Sequence, residues 1–253
     1  MRDSQIIIDS TIRVSPAELR ILLWDVDGTL LQSTRPGRFR DYFSVALEKV
    51  YGTKGKIAEA KASGATDTHI VFQSLKDDGW TIEQISARMN EFIKVLCAEM
   101  EKYTESRENI YEILPGVLGI LRATDANPRF INALLTGNIG CGAEIKCRQI
   151  GVWQYFENSL NTFGDISHDR RQLAVKAGEI FNRHYKAALK PAQFIVIGDT
   201  PHDIAMAKNF GAKILSVETG RGISRAILES EKPDFLIKDL SDTRRILQIL
   251  ETL

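Results

Sequence analysis

Short apolar runs that stop at clusters of Asp, Thr and Gly, each followed by a helical stretch, set the architecture of this 253-residue chain. Leu19–Trp24 is such a run, ending at Asp25-Val26-Asp27-Gly28. Beyond Pro115-Gly116 the pattern repeats, with strands expected at Phe130–Leu135, Ser159–Phe163, Phe194–Ile197, Lys213–Val217 and Asp234–Ile237. Helical patterns fill 139–150, 169–187, 201–210, 221–230 and 241–252. Strands alternating with helices predict an α/β fold: a parallel sheet with helices on both faces.

Between these parts the rhythm is helical. Phe39, Tyr42, Phe43, Ala46, Leu47 and Val50 recur at three- and four-residue steps up to Gly52. A second stripe runs Ile82, Ile85, Met89, Phe92, Ile93, Leu96, Met100, Tyr103, opened by Thr81 and Gln84 in capping-box spacing. The segment from about Pro36 to Ile113 is therefore read as a helical bundle without strands. The domain reading is an N-terminal extension over 1–18, an α/β core from 19–32 and 114–253, and a helical insert over 33–113.

Composition narrows the function classes. Thirty-three basic residues balance thirty-three acidic ones, so no net field favours nucleic acid or an anionic membrane. Ile6–Ile8 is too short for a signal-peptide core, and no run has transmembrane length. Cys97, Cys141 and Cys147 show no C-x-x-C spacing and are odd in number, so buried thiols in a reducing, cytoplasmic setting are expected rather than a disulfide. His69, His168, His184 and His202 form no metal or triad spacing.

Ligands of open α/β sheets collect at the carboxyl ends of the strands. Three polar clusters fall there: Asp25-Val26-Asp27-Gly28-Thr29-Leu30, Thr136-Gly137-Asn138 and Gly198-Asp199-Thr200-Pro201-His202-Asp203. Any one alone reads as a turn or helix cap. Together they bring Asp25, Asp27, Asp199 and Asp203 towards one crevice. Two carboxylates ~4 Å apart repel by about 1 kcal/mol in water and about 4 kcal/mol at an effective dielectric of 20. Such a group calls for a cation or a shared proton, and an all-oxygen set suits a hard ion, Mg²⁺ first.

These three clusters, in this order and with this spacing, resemble the first, second and fourth motifs of the haloacid dehalogenase-like hydrolases. The resemblance spans residues 19–240 and implies a Rossmann-like core with an inserted helical-bundle cap. It points to the capped phosphatase branch, which includes phosphoglycolate phosphatases and β-phosphoglucomutases. It also implies roles. Asp25 attacks phosphorus, and Asp27 serves as general acid and base. Asp25, the backbone carbonyl of Asp27 and Asp199 hold Mg²⁺, with Asp203 directly or through water. Gly28, Thr136, Gly137 and Asn138 surround the phosphate. The family's usual lysine between the second and fourth motifs is missing; Arg170 is the substitute expected to clamp phosphate, with Arg171 and Lys176 as alternatives.

The loop Ala62–Asp67 resembles the family's cap loop and also fits a helix N-cap at Thr66 or Asp67. Asp27 argues against the dehalogenase and phosphonatase branches, which typically lack that second aspartate. The expected activity is hydrolysis of a small phosphorylated metabolite. A phosphosugar mutase of the β-phosphoglucomutase type and a non-catalytic phosphometabolite-binding module are the alternatives.

Overall fold

The computed structural model describes residues 6–9, 12–156, 159–167 and 169–253. The expected extension contains an antiparallel pair, β1 (Ile6–Asp9) and β2 (Ile12–Val14). Next comes β3 (Arg20–Trp24), the middle of the main sheet. Leu22 and Trp24 enter one core layer while Ile21 and Leu23 enter the opposite one. Successive strand residues point to opposite faces, so a strand covered on both sides reads as an unbroken apolar run.

The chain then leaves the sheet through β4 (Leu31–Ser33) and enters the insert. There α1 (Phe39–Tyr51), α2 (Asp67–Leu75) and α3 (Ile82–Glu105) bury a core of their own, including Phe43, Leu47, Val71, Phe92 and Leu96. Each such side chain contributes about 1.5–3 kcal/mol through burial. The capping box opens α3 as the sequence predicts: Gln84 N–H donates to Thr81 Oγ1, and Thr81 N–H donates to Gln84 Oε1. Gly52 ends α1 at φ 75°, a conformation that costs glycine nothing.

One feature of the insert corrects the sequence reading. Residues Tyr111–Ile113 form a strand, β5, paired antiparallel with β4 in the register Leu31↔Ile113 and Ser33↔Tyr111. Three residues are too few for a period of two to show, and the partner lies some eighty positions earlier. The pair is the neck through which the insert joins the sheet.

Past the neck run α4 (Val117–Asp125), β6 (Phe130–Leu134), α5 (Gly140–Gln149) and α6 (Leu173–Tyr185). They are followed by β7 (Phe194–Gly198), α7 (Pro201–Phe210), β8 (Lys213–Val217), α8 (Arg225–Ser230), β9 (Phe235–Ile237) and α9 (Thr243–Thr252). Among the described residues the main sheet is parallel and five-stranded, in the order β6-β3-β7-β8-β9. Helices α4, α5 and α9 cover one face; α6, α7 and α8 cover the other.

The strand expected at 159–163 does not form. Thr162 makes a single bridge to Leu135, with Thr162 N–H donating to Leu134 O at 2.9 Å. The side chain of Asn161 takes the neighbouring ladder position, its Oδ1 accepting from Leu134 N–H at 2.8 Å. A side chain in place of a backbone carbonyl ends the ladder there. Residues 157, 158 and 168 lie outside the described set.

The cysteines also depart from expectation. Cys97 on α3 and Cys141 on α5 form a disulfide, with their Cα atoms 5.9 Å apart, so the insert is bonded to the core. That spacing is the usual one for a bridged pair. Packing α3 along α5 creates it, and nothing at a sequence separation of 44 announces it. Cys147 is the buried free thiol the sequence leads one to expect.

Candidate active site

Register brings the site together. Trp24 pairs with both Leu134 of β6 and Ile197 of β7, so the three strands end level. Asp25, Thr136 and Asp199 therefore emerge at one edge of the sheet. Asp25 N–H donates to Ile197 O at 2.9 Å and Leu135 N–H to Trp24 O at 2.8 Å, which fixes that edge.

Carboxylate oxygens of Asp25, Asp199 and Asp203 lie within 4.8 Å of one another, and all three residues are buried. Burial raises the Asp25 carboxyl to about 6; Arg170 opposes the rise and Asp203 adds to it. Burial also holds Asp199 well above the ordinary carboxyl range, reinforced by the charges of Asp203 and Asp25. Thr29 Oγ1 donates to Asp199 Oδ1 at 3.1 Å. The Asp203 oxygens are both engaged, Oδ1 by Arg170 and Oδ2 by the amide and hydroxyl of Thr200. The donor set is all oxygen, clustered and destabilised by its own repulsion, which fits a hard divalent cation.

Arg170 begins the 3-10 turn that leads into α6, and its guanidinium Nη2 lies 2.9 Å from Asp25 Oδ2 and 2.5 Å from Asp203 Oδ1. Arg171 is exposed and Lys176 half-buried, and they pair with Asp169 and Glu179, each at 2.9 Å. The Asp27 carboxylate stays outside the cluster. Its Oδ2 accepts from Asn138 Nδ2 at 2.8 Å and from Lys146 Nζ at 2.6 Å. Gly28 lies at φ 86°, and a Cβ there would meet Asp199 Oδ2 at 2.3 Å, so only glycine lets the two loops touch.

The insert closes the site from above. Asp67 N–H donates to Gly137 O, and Asp67 Oδ2 accepts from Ile139 N–H, both at 2.8 Å. Thr66 caps α2 by accepting from His69 N–H, so the helix-cap reading of the loop holds alongside its place over the cleft. A Cβ on Gly137 would strike Ala65 O at 2.4 Å, so this loop contact needs glycine as well. Burial raises the Asp67 carboxyl to about 6, with Lys146 and the Ile139 amide opposing. His202 packs against Gly64 of the same loop. The cleft measures about 290 Å³ and is open to solvent on one side; Phe39, Ile70 and Ala65 of the insert line it together with Asp25, Thr136 and Arg170 of the core.

Two cleft residues escape the sequence reading. Arg221 sits in the turn before α8, where a helix start is expected from the sequence. Lys146 is 6% exposed and shares the buried stripe of α5 with Gly142, Ala143 and Cys147. A lysine at helical spacing on an apolar stripe was the available signal.

A carboxylate cluster of this kind, at the carboxyl edge of a parallel sheet and under a helical insert, is the arrangement of a phosphoryl-transfer hydrolase. The chain belongs to the haloacid dehalogenase-like hydrolases: the model of that family matches residues 22–208. It is 41% identical over 233 residues to the pyrophosphatase PpaX of Bacillus mycoides, covering 91% of this chain and 97% of that one. It is 23% identical over 235 residues to a phosphoglycolate phosphatase of Vibrio vulnificus, covering 88% and 94%. In fold it matches a predicted phosphoglycolate phosphatase from Haemophilus somnus, with a TM-score of 0.62 at 19% identity over 91% of this chain and 99% of that one. A family IA hydrolase from Entamoeba histolytica gives the same TM-score at 14% identity, covering 93% and 100%. The chain is thus a phosphatase-type enzyme of this family. Among the described residues no helix is long and apolar enough to cross a membrane.

Proposed function

We propose that this enzyme is a Mg²⁺-dependent phosphatase that hydrolyses a small phosphomonoester through a phosphorylated Asp25. The observation that carries the reading is the Asp25 carboxylate itself, buried, level with Thr136, and paired with Arg170 at 2.9 Å. A nucleophile so placed needs a neighbouring cation to approach a phosphate dianion. Arg170 supplies one, and its fork matches phosphate oxygens.

Asp25, the Asp27 carbonyl, Asp199 and Asp203 would hold Mg²⁺. When bound, that ion offsets the negative charge on the carboxylates and on the transferring phosphoryl group. The protein's own residues do the rest. Asp25 forms the new P–O bond as the ester P–O bond breaks, and Asp27 gives a proton to the leaving oxygen. Asp27 then takes a proton from the water that hydrolyses the aspartyl-phosphate. Thr136 and the Gly137 amide hold phosphate oxygens. The insert serves as a cap: its Ala65–Thr68 segment bonds to the core at Gly137 and Gly164 and so covers part of the cleft, limiting access of bulk water.

A cleft of about 290 Å³ is of the size that takes a small metabolite. Phosphate release from a panel of phosphorylated metabolites, with and without Mg²⁺, tests the reading. Activity on phosphopeptides in preference to small esters would contradict it. Inorganic pyrophosphate belongs in the panel as a second reading, favoured by the 41% identical pyrophosphatase.

A further inference from the structure

We propose that Lys146 is a positioning residue for Asp27, fixing one carboxylate oxygen so that the other is presented to the leaving group. The inference rests on Asp27 acting as the proton donor, as set out above.

A lysine in the buried stripe of a helix is costly unless its charge is met. Lys146 meets it with cleft side chains. Its Nζ lies 2.6 Å from Asp27 Oδ2 and 2.6 Å from Asn138 Oδ1. Asn138 Nδ2 in turn donates to Asp27 Oδ2 at 2.8 Å and to Thr136 Oγ1 at 2.7 Å. Lys146, Asn138 and Asp27 thus touch pairwise and form a closed ring. The ring of Tyr111, from the neck, lies 5.7 Å from Nζ. Asp67 of the cap is a further negative charge near this lysine.

The ring acts on a single atom. Both hydrogen bonds to the Asp27 carboxylate fall on Oδ2, and among the described residues Oδ1 has none. The Asp27 side chain is 47% exposed, unlike the buried Asp25, Asp199 and Asp203. Left free, it would rotate between solvent and that cluster. Held through Oδ2, it leaves Oδ1 unengaged on a residue that lines the cleft, where a proton can pass to the ester oxygen as the P–O bond breaks. Fixing a proton donor within reach of its target is worth orders of magnitude in rate. A structural role alone would be served as well by methionine or leucine, which fill the same volume without a charge to satisfy.

Leaving-group dependence tests this. An alkyl phosphate such as phosphoglycolate needs its leaving oxygen protonated; p-nitrophenyl phosphate does not. Lys146→Met should lower kcat/KM about 10²-fold for phosphoglycolate and less than about 5-fold for p-nitrophenyl phosphate. Lys146→Arg should recover part of the loss. In an Asp27→Asn background, Lys146→Met should cost the alkyl substrate nothing further, since residues acting through one another are not additive. Thermal melting checks that each variant is folded. Should the methionine variant not fold, Lys146→Arg carries the test through the same contrast in smaller measure. Equal losses on both substrates, or a full further loss in the Asp27→Asn background, overturn the role of Lys146. Wild-type activity that survives Asp25→Asn overturns the underlying reading instead.

Discussion

The Arg170 guanidinium bridges Asp25 and Asp203, so one buried cation serves the candidate nucleophile and a candidate metal-binding carboxylate together. Arg170→Ala should lower kcat/KM by about 10²–10³-fold, the scale of deleting one preorganised electrostatic contact in a closed site. Arg170→Lys should recover part of this. Arg171→Ala should cost little, because its guanidinium is exposed and paired with Asp169. Steady-state kinetics on the three variants decide the point, and a silent Arg170→Ala would refute it.

Metal binding should show in stability as well as rate. EDTA should abolish phosphate release, and Mg²⁺ at about a hundred times its Kd should stabilise the fold by about 2.7 kcal/mol. Asp199→Ala removes one of the clustered carboxylates and should shrink the shift in Tm. A Tm response to Mg²⁺ that is intact in this variant would place the ion elsewhere.

Asp67 makes stability pH-dependent with an unusual sign. Its folded pKa is about 6, above the value of 3.8 expected in an unfolded chain. The folded protein therefore keeps this proton over a range where the unfolded chain has released it. The stabilisation is full below pH 3.8 and is lost as pH rises through about 6. Asp67→Asn should consequently raise Tm at pH 7–8 by about 2–5 °C, with the gain vanishing near pH 4. A uniform loss of Tm at every pH would mean that the hydrogen bond from Ile139 dominates instead.

The Cys97–Cys141 bond should be measurable by thiol counting. Denatured without reductant, the protein should titrate as one thiol, Cys147. Closing a loop between residues 44 apart should contribute about 2–4 kcal/mol, so the Cys97→Ser, Cys141→Ser double variant should be less stable to denaturant unfolding by about that amount. Three titratable thiols before reduction would show that the bond does not form.

Features governed by local period and order were legible along the chain. The apolar run Leu19–Trp24 reads as a strand, and its abrupt end at Asp25 marks the carboxyl edge of the sheet; the strand forms over Arg20–Trp24. The stripes of α1 and α3 and the Thr81 box followed from helical spacing. Features that depend on partners distant in sequence emerged with packing. The neck pair β4–β5 joins residues eighty positions apart. Asn161 ends a strand that its neighbours' composition favours, because its side chain takes a ladder hydrogen bond. Cys97 meets Cys141 only because α3 packs along α5. Lys146 shares the apolar spacing of α5, but its partner Asp27 lies 119 residues earlier in the chain, and only packing brings the two together. Periodicity is written along the chain, whereas a charge pair or a disulfide is set by which surfaces fold against each other.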